Sequence, residues 1–403
     1  MTTGVANSLP TRSVLIAGAG LGGLTAAACL LKRGFRVQVF EQSPELGEVG
    51  AGIQLSANAV KVLDSLGLRR QLEAAAVRPL AYEFRRYDTG EILHRVPLNE
   101  NDTHERVHGT PYFHVHRGDL HRLLVETVQT LDPQSIHLAA RTTGFTECAD
   151  GVRLQLADGS EVRGDILVGA DGIKSVIRTH VLGAAQPVYT GQAAWRAVVP
   201  AERLPAGIMR HVVTVWCGPK NHAVVYCVRG GELLNFVGCH ERDWEEESWT
   251  ARRPWVELQR DYAGWHPEVQ TIIDAMDHEQ CFRWALNSRE PRERWSTGRA
   301  TLLGDAVHPT LPYMAQGAVM AIEDAAVLAR CLDADEPVGA ALSRYERNRA
   351  PRTARIVRES SEHGDLFHIT DAAEMRAAFL RKDIARSRRE WLYCYDPLTV
   401  DLP

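Results

Sequence analysis

The chain has 403 residues, 45% apolar and 24% charged, with a formal net charge of −5. That length allows two or three domains, or one large domain carrying an inserted one. The acidic balance gives no reason to expect a nucleic-acid partner, and no apolar run approaches the roughly 18 residues of a membrane span.

Eight cysteines are scattered without C-x-x-C or zinc-ligand spacing, so the expectation is reduced thiols and no metal. Met1–Pro10 lacks the basic start and apolar core of an export signal, which points to the cytoplasm.

Ser13–Ala17 is a short apolar run suited to a buried parallel strand. Gly18, Gly20 and Gly23 follow at G-x-G-x-x-G spacing, with Gly22 inside the turn, and Leu24–Arg33 then reads as a helix. Gly34 stands where a helix end needs positive φ. Phe35–Phe40 reads as a second strand ending at Glu41, eighteen residues past Gly23. The glycines permit a tight turn, approach of backbone N–H groups to a pyrophosphate, and close packing of helix on strand. Glu41 arrives near the position of the acid that bonds a ribose hydroxyl. These residues point to an adenine dinucleotide and do not separate NAD from FAD.

Residues 42–56 form a glycine-rich loop that fits a flat ligand or a plain surface turn equally well. Asn58–Leu68 has helical spacing, and Leu80–Leu93 reads as a hairpin turning at Asp88-Thr89-Gly90. Asn99–Gly109 reads as polar loop. Arg117 precedes a helix over Leu120–Thr130. Ile136–Leu138, Thr142–Glu147 and Val152–Leu156 read as a small β-meander. Ile166–Val168 is an apolar strand running into Gly169-Ala170-Asp171-Gly172. Taken alone, Asp171 reads as a helix cap.

From Val188 to Gly238 the pattern becomes β-rich: Ala194–Val199, His211–Trp216, His222–Val228 and Leu233–Gly238, with a hairpin turn at 229–232. His222, Val224 and Tyr226 share one strand face. Pro254–Tyr262 and Pro267–Met276 read as helices. Arg299–Ala306 returns to a strand ending at Gly304-Asp305. His308–Pro312 must be extended around its prolines. Gly317–Leu332 and Ala340–Arg355 are helices. The arginines at 376, 381, 386, 388 and 389 lie among acids and read as a solvated helix face.

Three segments in this order resemble the single-component FAD-dependent aromatic hydroxylases: GAGLGG with Glu41, ADGIKSVIR at 170–178, and LLGDAVHP followed by MAQGAVMAIEDAA. Within that family the chain is similar to the 3-hydroxybenzoate 6-hydroxylases, salicylate hydroxylases and 6-hydroxynicotinate 3-monooxygenases. PYFHVHRGDLH at 111–121 and EWLYCYDP at 390–397 fit the same group.

The resemblance implies an α/β fold. A doubly wound, Rossmann-like FAD-binding domain would be formed by residues 1–82, 105–188 and 283–360. A mainly antiparallel β-sheet substrate domain, 83–104 and 189–282, would be inserted in it, and a C-terminal helical region would cover 361–403. It implies ring hydroxylation of a small phenol or hydroxypyridine, a carboxylate, with NADH or NADPH and O₂ through a flavin C4a-hydroperoxide. It also implies a homodimer.

By the same resemblance, Gly18, Gly20, Gly22, Gly23, Glu41, Gln42, Gln54, Arg117, Asp171, Asp305, Gly317 and Ala318 would hold FAD, with Asp171 also near the nicotinamide. His222 would be the base on the phenol, a task a histidine pKa near 6.5 suits. Tyr226 would border the substrate, and Pro309 would lie beside the reactive flavin carbon. Pro312 follows the hydroxynicotinate enzymes and Gln54 the hydroxybenzoate enzymes, so both substrate classes stay open. A halogenase, a simple flavin dehydrogenase and a non-catalytic dinucleotide binder also stay open, although the halogenase W-x-W-x-I-P pattern is absent at Trp195–Pro200.

Overall fold

A computed structural model describes residues 12–47, 51–243 and 252–403. Part of the glycine-rich loop, residues 48–50, lies outside the described residues.

A five-stranded parallel sheet has the spatial order Ala300–Leu302, Ile166–Gly169, Ser13–Ala17, Arg36–Phe40, Ile136–His137. Ser13–Ala17 pairs with Arg36–Phe40 on one side and Ile166–Gly169 on the other. The chain therefore winds outward in both directions from its first strand. That leaves a crevice at the strand ends where the order reverses. Ile136–His137 extends this sheet, so the expected meander is corrected: it consists of Thr142–Cys148, Gly151–Leu156 and Glu161–Gly164.

The helix after the first strand starts at Leu21, three residues earlier than its apolar pattern suggests, because the glycine turn is tight. Gly18 adopts φ +100° and a Cβ there would stand 2.5 Å from the Ala170 carbonyl oxygen. At Gly23 a Cβ would be 2.1 Å from the Gly18 carbonyl oxygen, so helix and strand can meet only through glycine.

A seven-stranded sheet has the order Phe282–Ser288, Val188–Pro200, Leu233–Glu241, Asn221–Val228, Val213–Gly218, Ala81–Arg86, Ile92–Pro97. The hairpin near residue 88 joins it through a parallel pairing with Val213–Gly218. The remainder of the glycine-rich loop is partly a strand, Gly52–Leu55, paired with Phe113–His116. The polar stretch 99–109 is not loop: Thr103–His108 is a helix that buries His104 and His108. The helix expected over Ala340–Arg355 runs from Val338 to Phe367 with Pro351 inside. Its added turns, with the helix Ala372–Lys382, lie against the seven-stranded sheet and share a core with Phe84, Val215 and Tyr226.

Candidate active site

A cavity of about 330 Å³ lies between the two large sheets. Gly20 and Gly22 line it from the first turn, Gly304, Asp305 and Pro309 from the segment after Ala300–Leu302, and Gly317 and Ala318 from the next helix. His222, Val224 and Tyr226 line it from one strand face, as the alternation predicts, and Gln54 and Arg117 line it as well.

Two helices open onto this space with no acid in their first turns. The Leu21–Leu31 and Gly317–Leu332 helices have neither a side-chain cap nor an acidic residue in the first turn. Their orphan N–H groups and partial positive charge suit an anion. A Cβ at Gly20 would meet nothing within 4 Å, so the backbone here faces open space. The described residues thus fit a dinucleotide with a pyrophosphate near Gly20–Gly22.

Glu41, which does not line the cavity, accepts hydrogen bonds from Ala19 N at 2.8 Å and Ser43 N at 2.9 Å. Each carboxylate oxygen keeps a second lone pair for a hydroxyl. Gly18 and Gly23 act behind the surface, in the turn and its packing. Gln42 is exposed and outside the cavity lining.

Asp171 is placed differently from the family-based expectation. Its carboxylate accepts from Ser175 Oγ at 2.5 Å, Val176 N at 2.7 Å and Ile177 N at 3.2 Å, closing the start of the following helix. The cavity is lined by its neighbours Ala170, Gly172 and Ile173. The capping expectation from the sequence describes this side chain.

Asp305 opens onto the cavity. Its pKa is raised by the protein mass around it, against the pull of His308 and Arg117. The loop that carries it is tied from behind. Asp324 accepts from Gly304 N at 3.1 Å, bonds His308 Nε2 at 2.6 Å and pairs with Arg349 at 2.6 Å. Glu323 pairs with Arg349 at 2.6 Å and Arg352 at 2.7 Å, and all four partners are buried or nearly so. In the first turn beyond Pro312, Gln316 joins the same network through Asn58.

His222 is 1% exposed. Its ring lies 4.9 Å from Tyr313 and 5.2 Å from Phe367, centroid to centroid. Burial, then His368 and His240, hold its pKa well below the ordinary value. The expected pKa near 6.5 is therefore corrected: at neutral pH this imidazole is uncharged and a weak base. Nδ1 of His222 lies 2.9 Å from His368 Nε2, and His368 Nδ1 lies 3.3 Å from Glu241 Oε1. The row leads outward, since the Glu241 side chain is 43% exposed. Asp365 also acts on His368. Burial raises the Tyr226 pKa, keeping it a neutral phenol beside Gln54.

Several lining residues escaped the sequence reading: Tyr82, Arg196, Trp284, Phe367 and Arg388. Arg388 corrects the expectation of a solvated arginine face, since it is 4% exposed. Among the described residues no cluster of side chains suits a metal ion, and no helix is long and apolar enough to cross a membrane.

Residues 11–360 match the FAD binding domain family model. The chain is 40% identical to a 3-amino-4-hydroxybenzoate 2-monooxygenase of Streptomyces platensis over 402 residues, covering 99% of each chain. It is 38% identical to the 6-hydroxynicotinate 3-monooxygenase of Pseudomonas fluorescens, covering 87% of this chain and 90% of that one. Its fold is similar to that of Klebsiella pneumoniae HpxO complexed with FAD and uric acid, with a TM-score of 0.82, 28% identity and coverage of 96% and 97%. With a dinucleotide turn and an aromatic-lined cavity meeting at one place, this chain belongs to the FAD-binding family as one of its FAD-dependent aromatic-ring monooxygenases.

Proposed function

We propose that this monooxygenase hydroxylates a single-ring phenol or hydroxypyridine bearing a carboxylate, with NADH or NADPH as transient electron donor. The observation that carries the reading is the shared cavity: residues of the dinucleotide signature and the His222–Tyr226 strand face line the same space. The two relatives, acting on an aminohydroxybenzoate and a hydroxynicotinate, support the substrate class.

In this reading Gly18–Gly23, Glu41, Arg117, Asp305, Gly317 and Ala318 hold FAD, which when bound supplies the oxygen activation. Gln54 and Pro309, which line the same cavity, would help to hold its ring. The nicotinamide enters across the cleft between the sheets, since among the described residues there is no second parallel sheet.

His222 orients the ring hydroxyl and receives its proton. With Nδ1–H donating to His368 Nε2, a lone pair remains on His222 Nε2 for the hydroxyl. A neutral, desolvated imidazole holds a proton poorly, so the proton moves through His368 to the exposed Glu241. Arg196, which lines the same cavity, favours the phenolate that stays behind. Removing the hydroxyl proton makes the ring electron-rich at the carbon to be oxygenated.

We also propose the FAD-binding, substrate and C-terminal divisions given above, a homodimer, as the family resemblance implies, and a cytoplasmic setting. The cytoplasmic reading is supported by eight free cysteines, six of them buried.

The test is oxygen uptake and NAD(P)H oxidation with a panel of hydroxybenzoates and hydroxypyridine carboxylates, scored by product mass. A protein that holds FAD but adds 16 mass units to none of the panel (about one oxygen atom per turnover) refutes the substrate class.

A further inference from the structure

We infer that Arg388 is the receptor for the substrate's carboxylate, an inference that rests on the hydroxylase reading above and names the group that fixes its substrate. Arg388 stands at the junction of the Ile384–Ser387 helix and the turn Arg388–Leu392. It is buried and lines the cavity. Its Nε and Nη1 atoms have no hydrogen-bond partner.

Among the described residues, no carboxylate is among the groups that act most on it. The guanidinium lies 4.7 Å above the Tyr82 ring. The groups that act most on its charge are Tyr393, Tyr82 and Tyr112. Burial raises the pKa of Tyr112 and Tyr393, so both are neutral phenols at neutral pH. Arg349, equally deep, is instead held by Glu323 and Asp324 at 2.6 Å each. A desolvated guanidinium without a carboxylate is costly, and a carboxylate ligand meets its planar donors well. Among the described residues that line the cavity, the ionised side chains are Arg117, Arg196 and Arg388 against Asp305, so this lining favours anions.

Two of those cations belong to the other side. Arg117 acts on Asp305 and on Arg196, placing the three together. Arg196 stacks on Trp284 at 4.5 Å, two strands from Asn221–Val228 in the direction away from Tyr82. Arg388 stands apart, over Tyr82.

The sheet register then sets a direction. Val215 pairs with Val224 on one side and Phe84 on the other, giving an apolar floor of three lining residues. His222 lies two residues beyond this row at one end, and Tyr82, beneath Arg388, two residues beyond it at the other. The two corners are separated by roughly 13 Å along the strands and 10 Å across them, about 16 Å between backbones. Once an imidazole and a guanidinium reach inward, one aromatic ring with a hydroxyl and a carboxylate at opposite sides fills the gap. The carboxylate on Arg388 thereby presents the hydroxyl to His222.

The test uses FAD-loaded enzyme and reads binding from the change in flavin absorbance. The probes are 3-hydroxybenzoate, 6-hydroxynicotinate and 3-amino-4-hydroxybenzoate, each against its carboxamide. Arg388→Met should weaken the tightest-binding carboxylate by about 10²-fold and leave its carboxamide nearly unchanged. Arg388→Lys, which keeps charge but not the planar fork, should fall between, and it serves if the methionine variant fails to load FAD. Equal losses for carboxylate and carboxamide, or a carboxylate-specific loss in Arg196→Met with none in the Arg388 variants, overturn the assignment. Wild-type enzyme that turns over the carboxylates while Arg388→Met binds them as well overturns Arg388 alone. Wild-type enzyme that binds uncharged phenols but none of the carboxylates overturns the substrate class as well.

Discussion

Replacing His222 separates a base from a packing residue, provided the replacement is chosen from the structure. The ring is enclosed by Tyr313, Phe367 and His368. Truncation to alanine would leave a gap and strand His368 without its 2.9 Å partner, at a cost of about 2–4 kcal/mol. Glutamine fills most of the space and can still reach His368, so His222→Gln should cost about 1–2 kcal/mol of stability. Loss of a general base is worth about 10²–10⁴-fold, or some 2.7–5.4 kcal/mol in the barrier. The catalytic loss therefore exceeds the structural one in the glutamine variant. Holoenzyme should still bind FAD and still oxidise NAD(P)H when substrate is added, while product falls by that factor and hydrogen peroxide rises in proportion. Product, peroxide and NAD(P)H are measured in one reaction across pH. Wild-type product formation should also fall at acid pH, in a range shifted below that of an ordinary imidazole because burial lowers the His368 pKa, since a protonated His368 cannot accept. His368→Phe should flatten that dependence while keeping part of the turnover. Near-wild-type coupling in His222→Gln would refute the base, and an unchanged acid limb in His368→Phe would refute the exit path through His368.

The same geometry predicts three further outcomes. Asp171→Ala removes a three-donor cap, so it should cost about 1–2 kcal/mol in urea unfolding with FAD affinity and the KM for NAD(P)H unchanged; a large rise in that KM would return Asp171 to the nicotinamide site. Asp324→Asn breaks a fully buried pair with Arg349 and His308 and should cost about 3–5 kcal/mol in the apo protein. It should also reduce FAD retention through the Gly304–Pro309 loop; unchanged retention would show that the loop holds its shape without Asp324. Finally, burial lowers the pKa of His104, His108 and His363 to about 4 and of His114 to about 3. The unfolded chain binds protons at these sites from about pH 6.5 downward while the folded chain does not. Stability should therefore fall as pH drops from about 6.5 toward 4, and a thermal midpoint flat between pH 7 and 5 would refute this.

The parts of the site that were legible from the sequence are those where local backbone chemistry dictates residue type. Gly18 must take φ +100° against the Ala170 carbonyl, and Gly23 must let the Gly18 carbonyl approach its Cα. A glycine spacing records such demands directly. The alternation His222, Val224, Tyr226 is equally local, and the structure turns that face to the cavity. The pKa of His222 is not local. It depends on His368, 146 residues away, and on His240 across the sheet. The joining of Ile136–His137 to the parallel sheet, and of 81–97 to the antiparallel one, also depends on partners distant in the chain. So does the length of the Val338–Phe367 helix, whose last turns are held by the second core rather than by their own pattern.

Arg388 was the least legible residue for a related reason. Its neighbours in sequence are charged and its helix neighbours Arg386 and Glu390 pair in solvent, with side chains 65% and 51% exposed. Composition there describes a wet surface. One signal was available: EWLYCYDP places Trp391, Leu392, Tyr393 and Tyr395 directly after it. A run of large apolar and aromatic residues must bury something, and the segment does so by packing Leu392 and Tyr393 into the second core. A side chain four residues before Leu392 is carried inward with them, on the same helical face. Charge pattern and aromatic pattern therefore disagree at this segment, and packing prevails: a cation buried this way needs a counter-charge, which Glu323 and Asp324 give to Arg349 and which, in the inference above, the ligand gives to Arg388.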